Sequence, residues 1–143
     1  MNVAAILKVK GSSVVTVKPD TKIAEVTRIL TEKRIGAVLV SSDGQRAQGI
    51  LSERDIVRSL ATNGNATLDK QAHELMTARV TTCSPDDQLA DLMGVMTAKR
   101  IRHLPVTEDG TITGIISIGD VVKWRVEEIE READALRAYV AQA

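Results

Sequence analysis

Two segments carry the residue types best suited to hold a small molecule: Gly49-Ile50-Leu51-Ser52-Glu53-Arg54-Asp55 and Gly114-Ile115-Ile116-Ser117-Ile118-Gly119-Asp120. Each reads as a strand that ends in Gly-apolar-apolar and turns into a helix at the serine. A helix N-terminus points free N–H groups and a partial positive charge outward, a setting suited to phosphate. Glycine ahead of the turn lets a ligand approach the backbone. The same Ser-x-x-Asp spacing is also a variant capping box, in which serine accepts from the N3 amide and the carboxylate accepts from the serine amide. Duplicated helices need duplicated caps, so repetition alone does not choose between gripping a ligand and capping a helix.

Other chemistry is sparse. There is no Ser/His/Asp set with convincing spacing, no P-loop and no dinucleotide glycine fingerprint, so no catalytic activity is expected. His73 falls between the two segments, is expected to be exposed, and His103 alone makes no catalytic case. The single cysteine, Cys83, leaves no internal disulfide and too few ligands for a Cys/His zinc site; it reads as a small buried hydrophobe, and no metal is expected.

Bulk properties narrow the class. The 143 residues carry 19 basic and 19 acidic side chains, with one Trp, one Tyr and no Phe. Nucleic-acid binding normally brings a basic excess and stacking aromatics, so nucleic acid is not an expected partner. The core must be aliphatic. No apolar run has the length of a membrane span, and Lys8 and Lys10 interrupt a first stretch already too short for a signal peptide; a cytoplasmic location is the expectation.

The elements that position the two segments repeat. With Pro19-Asp20 set over Pro85-Asp86, an offset of 66, Val14, Thr16, Ala24, Thr31, Lys33, Arg34, Ile35, Val40, Asp43 and Gly44 fall on identical residues. Past the hairpin the offset is 65, and Gly49, Ile50, Ser52, Asp55 and Val57 match Gly114, Ile115, Ser117, Asp120 and Val122. Each half reads β-α-β-β-α, an α/β (α+β) fold of two repeats packed about a pseudo-two-fold axis. Val14 to Val17 alternates as a short strand. A helix after Pro19-Asp20-Thr21, capped by Asp20 or Thr21, buries Ile23, Val26, Ile29 and Leu30. Ala37 to Val40 is a strand covered on both faces, and Ser42-Asp43-Gly44 a turn. The second half gives a helix burying Leu89, Leu92, Met93 and Met96, then strands His103 to Val106 and Ile112 to Ile116 around Glu108-Asp109-Gly110.

The expected organisation is an N-terminal segment 1–13, repeat one 14–61, a connector 62–79, repeat two 80–127 and a C-terminal helix extension 128–143. Ala61 to Asn65 reads as flexible, and Asp69 to Met76 as able to add a helical turn. Val122, Val126, Ile129, Ala133, Leu136 and Val140 form a heptad-like stripe. The stripe either docks on its own domain or forms the seam of a homodimer.

With this hinge, the β-α-β-β-α repeat resembles the CBS domain family over about Val14 to Ala61 and Val80 to Glu127. The resemblance implies a tandem pair that binds an adenosine nucleotide (AMP, ADP, ATP or NAD(H)) between its repeats. It implies that the Asp55 and Asp120 carboxylates accept hydrogen bonds from ribose hydroxyls, a charge-assisted and therefore strong type of contact. It implies that Arg102, first among Arg100, Arg102 and His103, reaches the phosphates, and that Arg54 occupies another cation position. By analogy, Ser117 and Asp120 face Thr16, Val17, Ile35, Gly36 and Ala37 in one cleft. The other cleft pairs Ser52 and Asp55 with Thr82, Cys83, Ile101 and Arg102. Gly36 and Ala37 leave room, so the Asp120 cleft is expected to be the better site and the other more crowded. The family pattern often has a second hydroxyl before the Asp; Arg54 and Gly119 stand there instead.

These features together point to a ligand-biased sensor. It would signal through a change of angle between repeats or protomers, with the output passing to an effector protein or through the oligomer itself. The alternative is a ligand-free interaction or dimerisation module whose aspartates are caps only.

Overall fold

The computed structural model describes residues 1–142. Helix α1 (Val3–Lys10) leads into β1 (Thr16–Val17), α2 (Ile23–Lys33), β2 (Ala37–Val40), β3 (Gly49–Ser52) and α3 (Glu53–Asn63). A 3₁₀ helix (Gly64–Asp69) and α4 (Ala72–Leu75) connect to α5 (Leu89–Lys99), β4 (His103–Glu108), β5 (Thr111–Ser117) and α6 (Ile118–Ala141).

In the first repeat β1 runs parallel to β2, which pairs antiparallel with β3. The second repeat keeps only the antiparallel β4–β5 pair as a regular sheet. Its counterpart of β1 shrinks to a single bridge between Cys83 and Val106. The reason lies in one residue. In repeat one the Leu39 and Ser41 amides donate to Val15 and Val17 carbonyls. Pro105 stands where Leu39 stands and has no N–H, so one of the two ladder bonds cannot form. The Thr107 amide still donates to the Cys83 carbonyl (2.9 Å). The β4–β5 hairpin closes through Asp109 and Gly110, both at positive φ (52° and 79°), the conformation that an Asp-Gly two-residue turn adopts readily.

Two aliphatic cores result, and each is completed by the segment preceding the other repeat. Val3 and Ile6 of α1 are fully buried among Leu89, Leu92, Leu104 and Ile116 of repeat two. Ala72 of α4 is fully buried among Ile23, Val26, Val38 and Leu51 of repeat one. Burying Ile6 contributes on the order of 2 kcal/mol. The hydrogen bonds follow the same exchange. Amides of Val3 and Ala4 donate to Asp87 and Pro85; those of Ala72 and His73 donate to Thr21 and Pro19. These pairs relate residues 2–10 to 71–79 at an offset of 69. Close contacts repeat too: a Cβ on Gly49 would overlap Met76 Sδ, and one on Gly114 would lie 2.8 Å from Leu7 Cδ1.

Two expectations are corrected. Helix α2 starts at Ile23 with Lys22 as N-cap and no side-chain cap, so neither Asp20 nor Thr21 serves; the Lys70 carbonyl accepts the Ile23 amide instead (2.9 Å). Ala61 to Asn65, expected as a flexible connector, instead form the end of α3 and the start of the 3₁₀ helix, which buries Thr67 with its hydroxyl 2.8 Å from that of buried Ser59, while the turn expected within Asp69 to Met76 is present as α4. As expected, helix α6 runs without a break past residue 127, and its stripe is only partly covered by its own domain. Val122, Val126 and Ile129 are about half exposed, Leu136 and Val140 each 63% exposed.

Candidate functional site

Helices α2 and α5 both end in a Schellman-type turn that aims the next residues at the repeat junction. Arg34 and Arg100 take the left-handed position usually given to glycine (φ 55° in each), at a cost of roughly 1 kcal/mol. The Ile35 and Ile101 amides reach back to the Leu30 and Met96 carbonyls (3.1 Å each). Then Gly36 and Arg102 each accept an amide through the carbonyl: Glu53 donates to Gly36 (2.9 Å), Ile118 to Arg102 (2.8 Å). Each repeat thus seats the first turn of its own last helix beside the entry to its central strand.

Both helices are capped as the Ser-x-x-Asp pattern allows. The Ser52 amide donates to Asp55 Oδ2 (2.9 Å) and the Asp55 amide to Ser52 Oγ (3.4 Å). The Ser117 amide donates to Asp120 Oδ2 (2.9 Å) and the Asp120 amide to Ser117 Oγ (3.1 Å). Capping and ligand binding are not exclusive, because the cap uses one carboxylate oxygen. The other oxygen of Asp55 has only Arg58 within salt-bridge reach, at 3.9 Å, among the described residues.

The two carboxylates meet different surroundings. On the Asp55 side a half-open cleft of about 170 Å³ lies between the repeats. Its floor holds Gly36, Ile50, Ser52 and Asp55, and its opposite wall Ile101 and His103. Arg54, Arg58, Arg79, Arg100 and Arg102 also line it, against the acids Glu53 and Asp55. A chain of zero net charge therefore concentrates cations here. Ligand pockets for drug-sized molecules usually measure about 300–1,000 Å³. This cleft can enclose part of such a molecule and leave its charged end in the mouth, among guanidinium groups suited to phosphate. His103 is half-buried. Burial lowers its pKa, Lys10 and Arg102 add to that, and Glu53 and Asp120 oppose it. The ring is therefore predominantly uncharged at neutral pH.

On the Asp120 side the carboxylate already has a cation. Lys10 Nζ donates to Asp120 Oδ2 (2.5 Å) and to the Ile115 carbonyl (2.8 Å). Burial raises the Asp120 pKa, but the bonds from Lys10 and the Ser117 amide outweigh it and hold the carboxyl below its ordinary value.

Site geometry differs from the sequence expectation in grouping. Arg100 and His103 line the cleft of Ser52, Arg54 and Asp55, where Arg102 and Ile101 were also expected, while His103 stays paired with Ser117 in the β4–β5 ladder and within the influence of Asp120. The entry to β4 faces the start of α3 across the junction, so its basic residues belong to the Asp55 side. The Asp55 side, expected to be the more crowded, is half-open, with Ile101 and Arg102 among its lining residues. Thr82 is exposed and outside the cleft lining, where Thr81 stands instead. Cys83 faces inward, 5% exposed, with burial and the neighbouring Asp87 pushing its thiol up to about 12. Val17 and Ala37 are buried, and Thr16 and Ile35 half-buried in repeat one. Gly36 alone among that group reaches the cleft.

Lys10, Arg58, Thr77, Arg79 and Thr81 were not legible as site residues. One signal existed for two of them. At the offset of 69, Ile6-Leu7 and Leu75-Met76 are each followed three positions later by a cation, Lys10 and Arg79.

Comparison with known proteins adds an independent line. The CBS domain model matches residues 8–62 and 72–127. The chain is 31% identical over 146 residues to the mitochondrial CBS domain-containing protein CBSX3 of Arabidopsis thaliana, covering 96% of this chain and 71% of that one. It superposes on the CBS-domain containing protein ATU1752 of Agrobacterium tumefaciens with a TM-score of 0.84 at 45% identity, over 87% and 92% of the two chains. The CBS domain pair of protein MJ0100, in complex with 5′-methylthioadenosine and S-adenosyl-L-methionine, superposes with a TM-score of 0.77 at 25% identity, over 87% and 98%. No described helix is long and apolar enough to cross a membrane.

Proposed function

The chain belongs to the CBS domain family as a tandem pair, and on that premise we propose that it is a non-catalytic sensor that binds an adenosine nucleotide in the Asp55 cleft. One observation carries this reading: the half-satisfied Asp55 carboxylate lies in a half-open inter-repeat cleft lined by arginines. Asp55 keeps its cap through one oxygen and accepts the ribose hydroxyls with the other. Arg102, with Arg79 and Arg100, takes the phosphates. Ile101 and Ile50 flank the base. The adenosine-containing ligands of the MJ0100 pair support an adenosine nucleoside as the common part, and the arginines favour phosphate on it.

The signal is a change in the angle between repeats or between protomers of a homodimer paired through the exposed α6 stripe. A ligand shifts such an equilibrium only by its differential affinity for the two states. The single, buried cysteine fits a reducing cytoplasm. A second reading, a ligand-free dimerisation module, draws on the two complete capping boxes and the same apolar stripe.

Titration calorimetry with AMP, ATP, NADH and adenosine separates the two. The sensor reading predicts saturable heat with at least one nucleotide, and a larger loss for AMP than for adenosine in Arg102→Ala. Flat titrations with all four ligands on folded protein favour the dimerisation module.

A further inference from the structure

We infer that Lys10 is the residue that selects between the two clefts, filling the Asp120 position from within so that each chain admits one nucleotide, at Asp55. This rests on the nucleotide reading above but is a separate claim about number and place.

The basis is geometric. Helix α1 and the α4 segment are related at the offset of 69, and they seat on the two repeats through equivalent contacts. They then diverge. Helix α4 stops at Leu75, and Thr77 pairs with Ile50 in a β-bridge (2.9 and 3.0 Å), drawing the chain away from the helix direction. Arg79, the counterpart of Lys10, therefore lines the mouth of the open cleft and has no ion-pair partner among the described residues. Helix α1 instead continues to Lys10, with Leu7 wedged over Gly114. Its last side chain is carried to Asp120 and to the Ile115 carbonyl.

Lys10 shares Asp120 Oδ2 with the Ser117 amide, so a ribose could approach this carboxylate only through Oδ1, beside an ammonium that already offsets its charge and holds the adjoining Ile115 carbonyl. Neutral hydroxyls make weaker bonds to a carboxylate than a charged donor does. Among the described residues no such competitor sits on Asp55, where the Arg58 guanidinium stays 3.9 Å away.

The test is binding stoichiometry by titration calorimetry with ATP and AMP. The intact chain is expected to bind one nucleotide per chain, and Asp55→Asn, which retains an oxygen for the cap, to weaken that site roughly 10- to 100-fold. Lys10→Met is expected to bind two per chain, and Lys10→Met with Asp120→Asn to return to one. Lys10→Gln provides a second variant, and a thermal melt checks that each is folded. Two sites in the intact chain, or one site in both folded Lys10 variants, overturns the inference while leaving the nucleotide reading in place. No binding by the intact chain or any variant removes the reading itself, and the inference with it.

Discussion

Gly36 and His103 face one another where the repeats meet: a Cβ on Gly36 would lie 3.4 Å from both Cε1 and Nε2 of the imidazole. Gly36 is not among the residues with positive φ, so the backbone does not demand glycine there. Space does. Alanine is expected to fit in contact with the ring. Gly36→Val is expected to fill the floor of the Asp55 cleft and weaken nucleotide binding at least about tenfold, the cost of a mismatch of roughly 1–3 kcal/mol in a packed site. A fluorescent-nucleotide competition assay reads this. Unchanged affinity in folded Gly36→Val would place the ligand elsewhere.

Cap and ligand roles of the α3 start can be separated. Ser52→Ala removes the side chain that accepts the Asp55 amide and is expected to cost about 1 kcal/mol of stability, read from urea unfolding. Asp55→Asn keeps an acceptor for the Ser52 amide, so its stability loss is expected to be smaller while its loss of nucleotide affinity is larger. Equal effects on both quantities in both variants would make Asp55 a cap alone.

The Lys10–Asp120 pair should leave a signature in pH. Asp120 has a lowered native pKa, so the unfolded chain binds its proton more readily. The pair's contribution is therefore fully present above the unfolded Asp value of about 3.9 and disappears as pH falls through the native value. Being partly exposed, the pair contributes about 1 kcal/mol or less. The stability difference between the intact protein and Lys10→Met is expected near that size at pH 7 and near zero in strong acid. A difference that persists unchanged at low pH would assign it to the packed stem of Lys10 instead.

The α6 stripe is expected to be a protein contact. Val126 and Ile129 lie about half exposed on a 24-residue helix whose only buried residue, among those described, is Val121. Such a helix extends about 36 Å, most of it without a partner in its own chain. Val126→Glu with Ile129→Glu is expected to convert a dimer to monomer in sedimentation velocity, with the melting temperature of the repeats little changed. A monomer before substitution would sink the homodimer.

Much of the fold was legible because duplication makes one half a check on the other. The matched Gly-x-x-Ser-x-x-Asp segments located β3, β5 and both capping boxes. The features that stayed hidden had physical reasons. Pro105 reads as an ordinary strand residue until the partner that needs its missing N–H is known. The role of α1 was invisible because its contacts are with repeat two, from Val3 to Asp87 and from Lys10 to Asp120, whereas local pattern ties a segment to its neighbour along the chain. The same exchange placed Arg79 in the cleft. Arg100 and His103 were not expected beside Asp55, since the pseudo-two-fold decides which helix start they face.

The sensor claim rests most directly on where a nucleotide touches the protein. Amide chemical-shift mapping of the full chain titrated with ATP is predicted to move Gly36, Ser52, Asp55, Thr81 and His103 together and saturably. Shifts centred on Ser117 to Asp120 with those residues still, or no shifts at all, would contradict it.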